Sequence, residues 1–253
     1  MAAFSGATRN AGNLWAVQTR MLQPYTAQVL ADSPYLYYLV DESSGPSATD
    51  TSGNSRTGTY TAMSAFHQAG GLPNNPGFAV SLNGGGGRVV SGGAGLSNPT
   101  TFTLELWFKT TTSSGGKLIG FESTQASTSS TYDRHLFMRT NGTLVYGGWS
   151  NGGTTTVTSP KSYNDGNWHY VALSAVRSGT QQVSTMYVDG LSVVSGTTTR
   201  TSSYSGWWRI GYGSLPTGGT YPPSANFTGT VDNVAVYSTA LTGTRIAAHF
   251  AAR

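Results

Sequence analysis

Carboxylates that could serve as acid and base catalysts are scarce in this chain, which has 10 acidic residues among 253. Hydrolysis of a glycosidic bond needs two carboxyl groups about 5 to 10 Å apart. Glu105 lies in the clearest strand-like segment, whereas Glu122 and Asp133 lie on separate segments whose spacing does not require them to approach it. The histidines show no metal-site or triad spacing: His67, His135, His169 and His249. We therefore expect no enzymatic turnover, and the hydrolase hypothesis predicts turnover that is lost in Glu105→Gln.

Aromatic side chains form the second group with possible chemistry, because exposed rings stack on sugar faces beside amides and carboxylates. Candidates in loop-rich surroundings are Trp149, Trp207, Trp208, Tyr212 and Tyr221. The alternative for any of them is burial in the core. If the segment around Trp207 and Trp208 is a strand, one of these two rings must face inward.

Composition excludes several other classes of function. The chain has no cysteine, so it has neither disulfides nor thiol chemistry. Charged residues make up 9% and the net charge is +4, but the cations are scattered singly, which argues against nucleic acid as a partner. No stretch approaches the roughly 20 apolar residues of a membrane span, so we expect no membrane insertion.

Short apolar runs broken by glycine and small polar residues dominate the chain after Tyr35, a pattern typical of many short strands. In the run 101–109, residues Phe102, Leu104, Leu106 and Phe108 share one face, which should meet a second sheet. Further strands are predicted at 117–121, 136–139, 143–147, 169–176, 185–188, 191–194, 209–212 and 230–237. Hairpin turns are predicted at Asn141-Gly142, Asp165-Gly166 and Asp189-Gly190, and only the last has the two-residue spacing of a tight turn.

The two ends of the chain differ from this pattern. Residues 1–33 read as a partly helical docking arm, with Leu14, Val17 and Met21 on one helical stripe and a second short helix at 27–30. The main domain is then 34–253. At its end, Thr242 is predicted to cap a short helix with Ile246 and Phe250 on one side, which should plug an edge of the sandwich.

Five segments resemble the laminin-G-like, concanavalin A-like jelly-roll family in its bacterial and bacteriophage form. They are 29–34 (VLADSP), 50–54 (DTSGN), 165–172 (DGNWHYVA), 187–190 (YVDG) and 227–237 (FTGTVDNVAVY), and the resemblance runs from about Tyr25 to the C-terminus. The chain departs from the family at Tyr38 and Leu39, where Trp and Arg are usual, and after Asp232, where an acidic residue is usual. The resemblance implies an all-β, two-sheet antiparallel jelly-roll sandwich.

The resemblance also implies a calcium ion, because relatives often hold one with aspartate side chains and loop carbonyls. The matching positions are Asp50, Asn54 and Asp232. A calcium ion is coordinated by about six to eight oxygen atoms. The alternative is that Asp50 and Asn54 form Asx turns and Asp232 pairs locally.

Members of this family bind glycans, proteins or one another, so the fold narrows function without deciding it. The chain starts without an export signal, although the family is mostly extracellular. Proteins of a virus particle leave the cell by lysis and need no such signal, so a virion protein would satisfy both observations. We therefore expect a non-catalytic bacteriophage virion protein, a capsid decoration or minor tail protein on the particle exterior. Its expected partners are other virion proteins, further copies of itself and cell-surface glycans. The alternative is a carbohydrate-binding module of a secreted bacterial protein, and a glycoside hydrolase ranks third.

Overall fold

Two antiparallel β-sheets and two short helices make up the computed structural model, which describes residues 23–74, 77–126, 128–147, 155–199, 202–219 and 221–253. The helices are α1 (Pro24–Ala31) and α2 (Gly243–Ala251). The predicted jelly-roll sandwich is confirmed. No helix among the described residues is both long and apolar enough to cross a membrane.

The first sheet is called the helix-covered sheet, because both helices pack on it. Its strands, in spatial order, are β15 (Leu191–Thr199), β14 (Gln181–Val188), β13 (Trp168–Ser178), β8 (Phe102–Lys109), β17 (Thr228–Tyr237), β5 (Phe78–Asn83) and β4 (Ala65–Ala69). The short β1 (Leu36–Tyr38) also pairs with β17.

The second sheet is called the loop-covered sheet. Its strands, in spatial order, are β12 (Thr156–Ser162), β11 (Thr143–Gly147), β10 (Tyr132–Met138), β9 (Gly116–Glu122), β16 (Ser205–Ile210), β6 (Arg88–Val90), β3 (Gly58–Thr61) and β2 (Ser47–Ala48). The short β7 (Leu96–Ser97) pairs with the beginning of β16.

The main core lies between the two sheets and follows from the alternation in β8. Its four apolar side chains at even-numbered positions, Phe102 to Phe108, are fully buried against residues of the opposite sheet, such as Ile119 and Leu136. Burial of each such side chain stabilises the fold by about 1.5–3 kcal/mol. The other face of β8 carries Glu105 and Trp107 away from this core, as the period of two requires.

The hairpin between β14 and β15 has the tight turn expected from Asp189-Gly190. Both residues adopt positive φ, 52° at Asp189 and 79° at Gly190. A two-residue turn with this geometry matches the twist of the flanking strands, and glycine reaches it without steric cost. The Asn141-Gly142 turn likewise joins β10 to β11.

Helix α2 begins as predicted, because the Thr242 side chain accepts a hydrogen bond from the Arg245 N–H. Its predicted place at an edge of the sandwich is wrong. Ile246 is fully buried among residues on the outer face of the helix-covered sheet, and the Phe250 ring stacks on Trp107 at 5.8 Å. The apolar stripe of α2 needs an apolar surface, and the aromatic outer face of the central strands provides more of it than an edge does.

Helix α1 contains the second short helix predicted near residue 27, and it starts at Pro24, whose missing N–H costs nothing in a first turn. Tyr25 and Val29 are fully buried in the same outer cluster as Ile246. Helix α1 is therefore part of the sandwich domain, and the domain boundary predicted at residue 33 would cut it away from the residues on which it packs. The predicted stripe of Leu14, Val17 and Met21 lies outside the described residues.

Candidate functional site

The three acidic residues considered for catalysis lie on different sheets. Glu105 belongs to β8 of the helix-covered sheet, whereas Glu122 and Asp133 belong to β9 and β10 of the loop-covered sheet. All three are fully buried. Glu105 points away from the inter-sheet core, so the core separates it from the other two carboxyl groups. A catalytic pair that includes Glu105 is not formed.

Glu105 is held by four hydrogen-bond donors under the two helices. Its Oε1 accepts from the Tyr237 hydroxyl at 2.8 Å and the Tyr25 hydroxyl at 3.4 Å, and its Oε2 accepts from the Tyr170 hydroxyl at 2.6 Å. The Nδ1 atom of His249 lies 2.9 Å from Oε2. Burial, followed by the Glu105 charge, raises the pKa of Tyr170 well above 10.0, so this hydroxyl remains a donor. The arrangement satisfies a buried carboxyl group and closes it off from substrate.

His249 also ties the two helices together. Its Nε2 lies 2.9 Å from Oδ2 of Asp32, the residue that ends α1, and Arg245 contacts the same carboxylate at 2.9 Å. Burial acts to lower the pKa of His249, but hydrogen bonds to Glu105 and Asp32, with their charges, outweigh it and raise the pKa above 6.5. An imidazole held between two carboxyl groups thus links the helices to the sheet.

The outer face of the loop-covered sheet carries a different buried group, which we call the ion cluster: Lys117, Glu122 and Arg209. Lys117 Nζ lies 2.6 Å from Glu122 Oε1, and Arg209 Nη1 lies 3.3 Å from Glu122 Oε2. All three side chains are fully buried. Burial lowers the pKa of Lys117 to about 8, although Glu122 opposes this. Beside the cluster, burial lowers the pKa of His135 well below 6.5, so that imidazole is neutral.

The ion cluster fastens the loop between β16 and β17, which we call the covering loop. Lys117 Nζ donates to the Ser214 carbonyl at 2.6 Å, and the Ser214 N–H donates to Glu122 Oε1 at 2.8 Å. A Cβ atom at Gly213 would lie 1.9 Å from Glu122 Oε1, so only glycine allows this approach. The charges therefore position a loop and are themselves shielded from any ligand.

A surface pocket of about 280 Å³ lies where the covering loop meets the turn between β10 and β11. It is lined by Arg139, Thr140, Asn141, Gly219 and Tyr221. The ring of Tyr221 stacks on Phe137 of β10 at 5.0 Å, and Phe137 is directly paired with Lys117 across the strands. The pocket thus adjoins the ion cluster on the same outer face. It combines an aromatic ring with a guanidinium, an amide and a hydroxyl, the groups that proteins use to hold sugars.

The predicted glycan-contacting aromatics are not gathered in one place. Trp208 is fully buried in the core, so its assignment to a glycan site is wrong, and of the adjacent pair it is the inward-facing ring, as β16 requires. Trp207 is partly buried, and its indole N–H donates to the Gly93 carbonyl at 3.0 Å. Tyr212 lies beside Arg88 at 5.8 Å. Tyr221 lines the pocket, and Trp149 lies outside the described residues.

The three predicted calcium ligands do not assemble a cation site. The Asp50 carboxylate accepts from the backbone N–H groups of Tyr37, Ser52 and Arg56 at 2.8–3.0 Å. The Asn54 side-chain amide donates to the Pro34 and Tyr35 carbonyls at 2.9 and 3.2 Å, so it fastens the loop locally. No group of three or more acidic or histidine side chains suited to a metal occurs in the described ranges.

The Asp232 carboxyl group is engaged by partners other than those of Asp50. Its Oδ2 accepts from the Gly71 N–H at 2.7 Å and its Oδ1 from the Asn233 amide at 2.6 Å. Burial is the main cause that raises its pKa to about 8, and nearby Asp41 adds to the effect. Both carboxylate oxygens of Asp232 therefore already have protein partners, so the donors present do not fit the ion.

The pocket and the ion cluster contain residues that sequence reasoning missed. Lys117 and Glu122 are five positions apart, so strict alternation puts them on opposite faces. The pairing of β9 with β10 shifts between Ile119 and Lys117, and this irregularity brings both side chains to the outer face. The Asn141-Gly142 signal predicts the turn that carries Arg139 and Asn141. It does not predict the pocket, because the pocket forms only where Tyr221, distant in sequence, lies against this turn.

The fold is that of a lectin/glucanase-like β-sandwich. The family model of the concanavalin A-like lectin/glucanases superfamily matches residues 83–247, and the chain belongs to this family. No curated protein sequence matches the chain.

Several solved structures share the fold. Domain 4 of AbnA, an extracellular arabinanase from Geobacillus stearothermophilus, in complex with arabinotriose, is 19% identical with a TM-score of 0.55, covering 86% of this chain and 98% of that domain. Trypanosoma rangeli sialidase is 16% identical with a TM-score of 0.58, and the match covers 86% of this chain but 32% of the sialidase. The binding domain of botulinum neurotoxin serotype C1 is 16% identical with a TM-score of 0.58, and the match covers 88% of this chain and 52% of the neurotoxin chain. At these identities the likeness concerns the fold.

Proposed function

We propose that this chain is a non-catalytic glycan-binding protein whose binding site is the pocket between the β10–β11 turn and the covering loop. The observation that carries the proposal is the grouping of the Tyr221 ring with Arg139 and Asn141 around 280 Å³ of surface pocket. The Phe137 ring backs Tyr221 and holds it in place. An aromatic ring beside a few fixed polar groups can orient a small polar ligand such as a sugar.

The absence of catalysis is part of the proposal, and the carboxyl groups support it. Glu105 contacts three tyrosines and a histidine beneath two helices, and Glu122 contacts Lys117 and Arg209 beneath the covering loop. Both acids are fully buried. An acid catalyst must reach the glycosidic oxygen, which neither group does.

A glycan array followed by calorimetry tests the proposal. We expect selective binding of a subset of oligosaccharides by the full chain, and loss of most of that affinity in Tyr221→Ala. The matched control is Tyr187→Ala, which removes a partly buried tyrosine from the helix-covered sheet. Equal binding by both variants, or no oligosaccharide bound, would contradict the proposal. Thermal melts of both variants separate lost binding from lost folding.

The setting we propose is the exterior of a bacteriophage particle, as a capsid decoration or minor tail protein. Its partners there are other virion proteins and further copies of itself, and its ligands are cell-surface glycans. A cysteine-free chain with 9% charged residues and a neutral polar surface agrees with that setting.

The alternative setting is a carbohydrate-binding module of a secreted protein, and one observation favours it: the fold matches 98% of a single domain of an extracellular arabinanase. Light scattering after gel filtration separates the two. The full chain is compared with a version that begins at Gln23, which keeps helix α1 and its buried Tyr25. An oligomer lost on truncation supports the virion protein, whereas two monomers support the module.

A further inference from the structure

We infer that the pocket selects a sugar residue that bears a carboxylate, a uronic or sialic acid, and that Arg139 binds this group. The inference rests on the proposed function and adds the class of ligand. Arg139 contributes the one guanidinium among the pocket-lining residues, and none of those described residues is acidic. A planar guanidinium binds a carboxylate through two parallel hydrogen bonds, which is a stronger and more selective contact than one to a sugar hydroxyl.

The backbone of Arg139 is fixed by the turn that carries it. The Arg139 N–H donates to the Thr143 carbonyl at 2.9 Å, and the Gly142 N–H donates to the Arg139 carbonyl at 2.9 Å. Asn141 Oδ1 accepts from both the Thr143 N–H and hydroxyl, at 3.1 and 2.8 Å, so the Asn141 amide is oriented as well. Because the turn fixes the backbone, the conformational freedom lost on binding is confined to the Arg139 side chain.

Charge around the pocket favours an anionic ligand. The strands of the loop-covered sheet, together with the turn between β10 and β11, carry six cations but two carboxylates: Arg88, Lys117, Arg134, Arg139, Lys161 and Arg209 against Glu122 and Asp133. Both carboxylates are already paired, Glu122 with Lys117 and Arg209, and Asp133 with Arg134. An electropositive face raises the local concentration of anionic ligands, whereas a neutral sugar gains nothing from it.

The size of the pocket fits one sugar ring. Its 280 Å³ lies just below the range of about 300–1,000 Å³ that is typical for drug-sized ligands. The half-buried Tyr221 ring supplies an apolar surface for the sugar C–H groups, and Thr140 and Asn141 supply hydrogen-bonding groups for its hydroxyls. The pocket therefore binds one acidic sugar residue of a longer glycan.

Calorimetry with paired probes tests the inference: trigalacturonic acid beside its carboxyl-reduced neutral form, and sialyllactose beside lactose. We expect at least one acidic member to bind more tightly than its neutral partner, by about tenfold to a hundredfold, the range of a charge-assisted hydrogen bond. Arg139→Gln should remove this preference, and Arg139→Lys should restore part of it. Arg177→Gln, which removes an exposed cation from the helix-covered sheet, is the control for net charge and should change nothing.

The outcomes separate this inference from the proposed function. If neutral glycans bind as well as acidic ones and Arg139→Gln has no effect, the pocket binds sugars but the acidic class is wrong. If sodium acetate displaces the acidic glycan at equal concentration, the pocket is a general anion site and the inference fails. If no glycan binds at all, the proposed function and the inference fall together.

Discussion

The two outer faces of the sandwich bury a glutamate each, and they satisfy it in opposite ways. Glu105 on the helix-covered sheet is surrounded by tyrosine hydroxyls and the His249 imidazole, under two helices. Glu122 on the loop-covered sheet is paired with Lys117 and Arg209, under a loop. On the helix side most of the donors are hydroxyl groups beneath apolar packing, whereas on the loop side the ion pair also binds the backbone of Ser214.

The difference shows which face is available to a ligand. The helices fill the outer surface of their sheet with Tyr25, Val29 and Ile246, all fully buried. The covering loop instead leaves a pocket beside Tyr221, because a loop fixed by a few charges does not fill the surface as a helix does. Function is therefore expected on the side where the packing is irregular.

The largest expected effect is the removal of the helix-side carboxyl group. Glu105→Ala leaves three tyrosine hydroxyls and His249 without their shared acceptor, so we expect the free energy of unfolding to fall by about 3–5 kcal/mol. Urea denaturation measures it. Lys109→Ala, at the exposed end of the same strand, is the control and should change little. A loss below about 1 kcal/mol would show that the Glu105 network is dispensable.

On the loop side, Gly213→Ala should disturb the covering loop. The added Cβ would lie 1.9 Å from Glu122 Oε1, and overpacking of this kind costs about 1–3 kcal/mol. Glycan affinity should fall as well, because the same loop carries Tyr221. Ser214→Ala keeps the backbone contacts to Lys117 and Glu122 and should have a smaller effect on both quantities. Unchanged affinity in Gly213→Ala would mean that the loop's anchor does not shape the pocket.

The helix side should also respond to pH through His249. Because the pKa of His249 is raised in the folded state above its ordinary 6.5, its stabilising contribution is present in full below pH 6.5. It is lost as the pH rises above that value and through the folded-state pKa. His249→Gln should flatten the stability profile in this window. His169, whose pKa is also raised, contributes in the same direction, so His169→Gln is the comparison, and equal profiles for wild type and His249→Gln would refute the link.

The smallest effect is expected where the helices meet solvent. Arg245 pairs with Asp32 at 2.9 Å but its side chain is 35% exposed. A pair of this kind contributes about 0.2–1 kcal/mol, and salt screens it. Arg245→Ala should lower the unfolding free energy by that amount at low salt and by less at high salt. A loss comparable to that of Glu105→Ala would mean that the helix–helix contact, rather than the buried carboxyl group, holds this face together.

The sequence predicts those parts of the fold that depend on local pattern. The alternation in β8 and the Asp189-Gly190 turn are read directly from neighbouring residues. Strand β12 was missed because it contains Pro160 and lies at a sheet edge, where proline is tolerated but masks the pattern. Helix α2 was recognised from its cap and stripe, but its position depends on an aromatic face built by β8, β13 and β17, which no local pattern describes.

The candidate site was less predictable, for a similar reason. Tyr221 was identified as a candidate by its residue type, and Trp208 was wrongly included because residue type alone does not separate exposed from buried rings. Arg139 joins Tyr221 across about 80 residues of chain, and Lys117 joins Glu122 through a strand irregularity. Long-range contacts and bulges of this kind leave no periodic signal.

Mapping of the bound glycan by NMR shows which face of the sandwich holds the binding site. Amide shifts of the full chain are followed during titration with the tightest ligand from the array. We expect the large shifts to cluster at Arg139, Asn141 and Tyr221, with little change at Glu105 and His249. Shifts concentrated around Glu105 and helix α2, with the pocket unaffected, would contradict it and place the binding site on the helix-covered side.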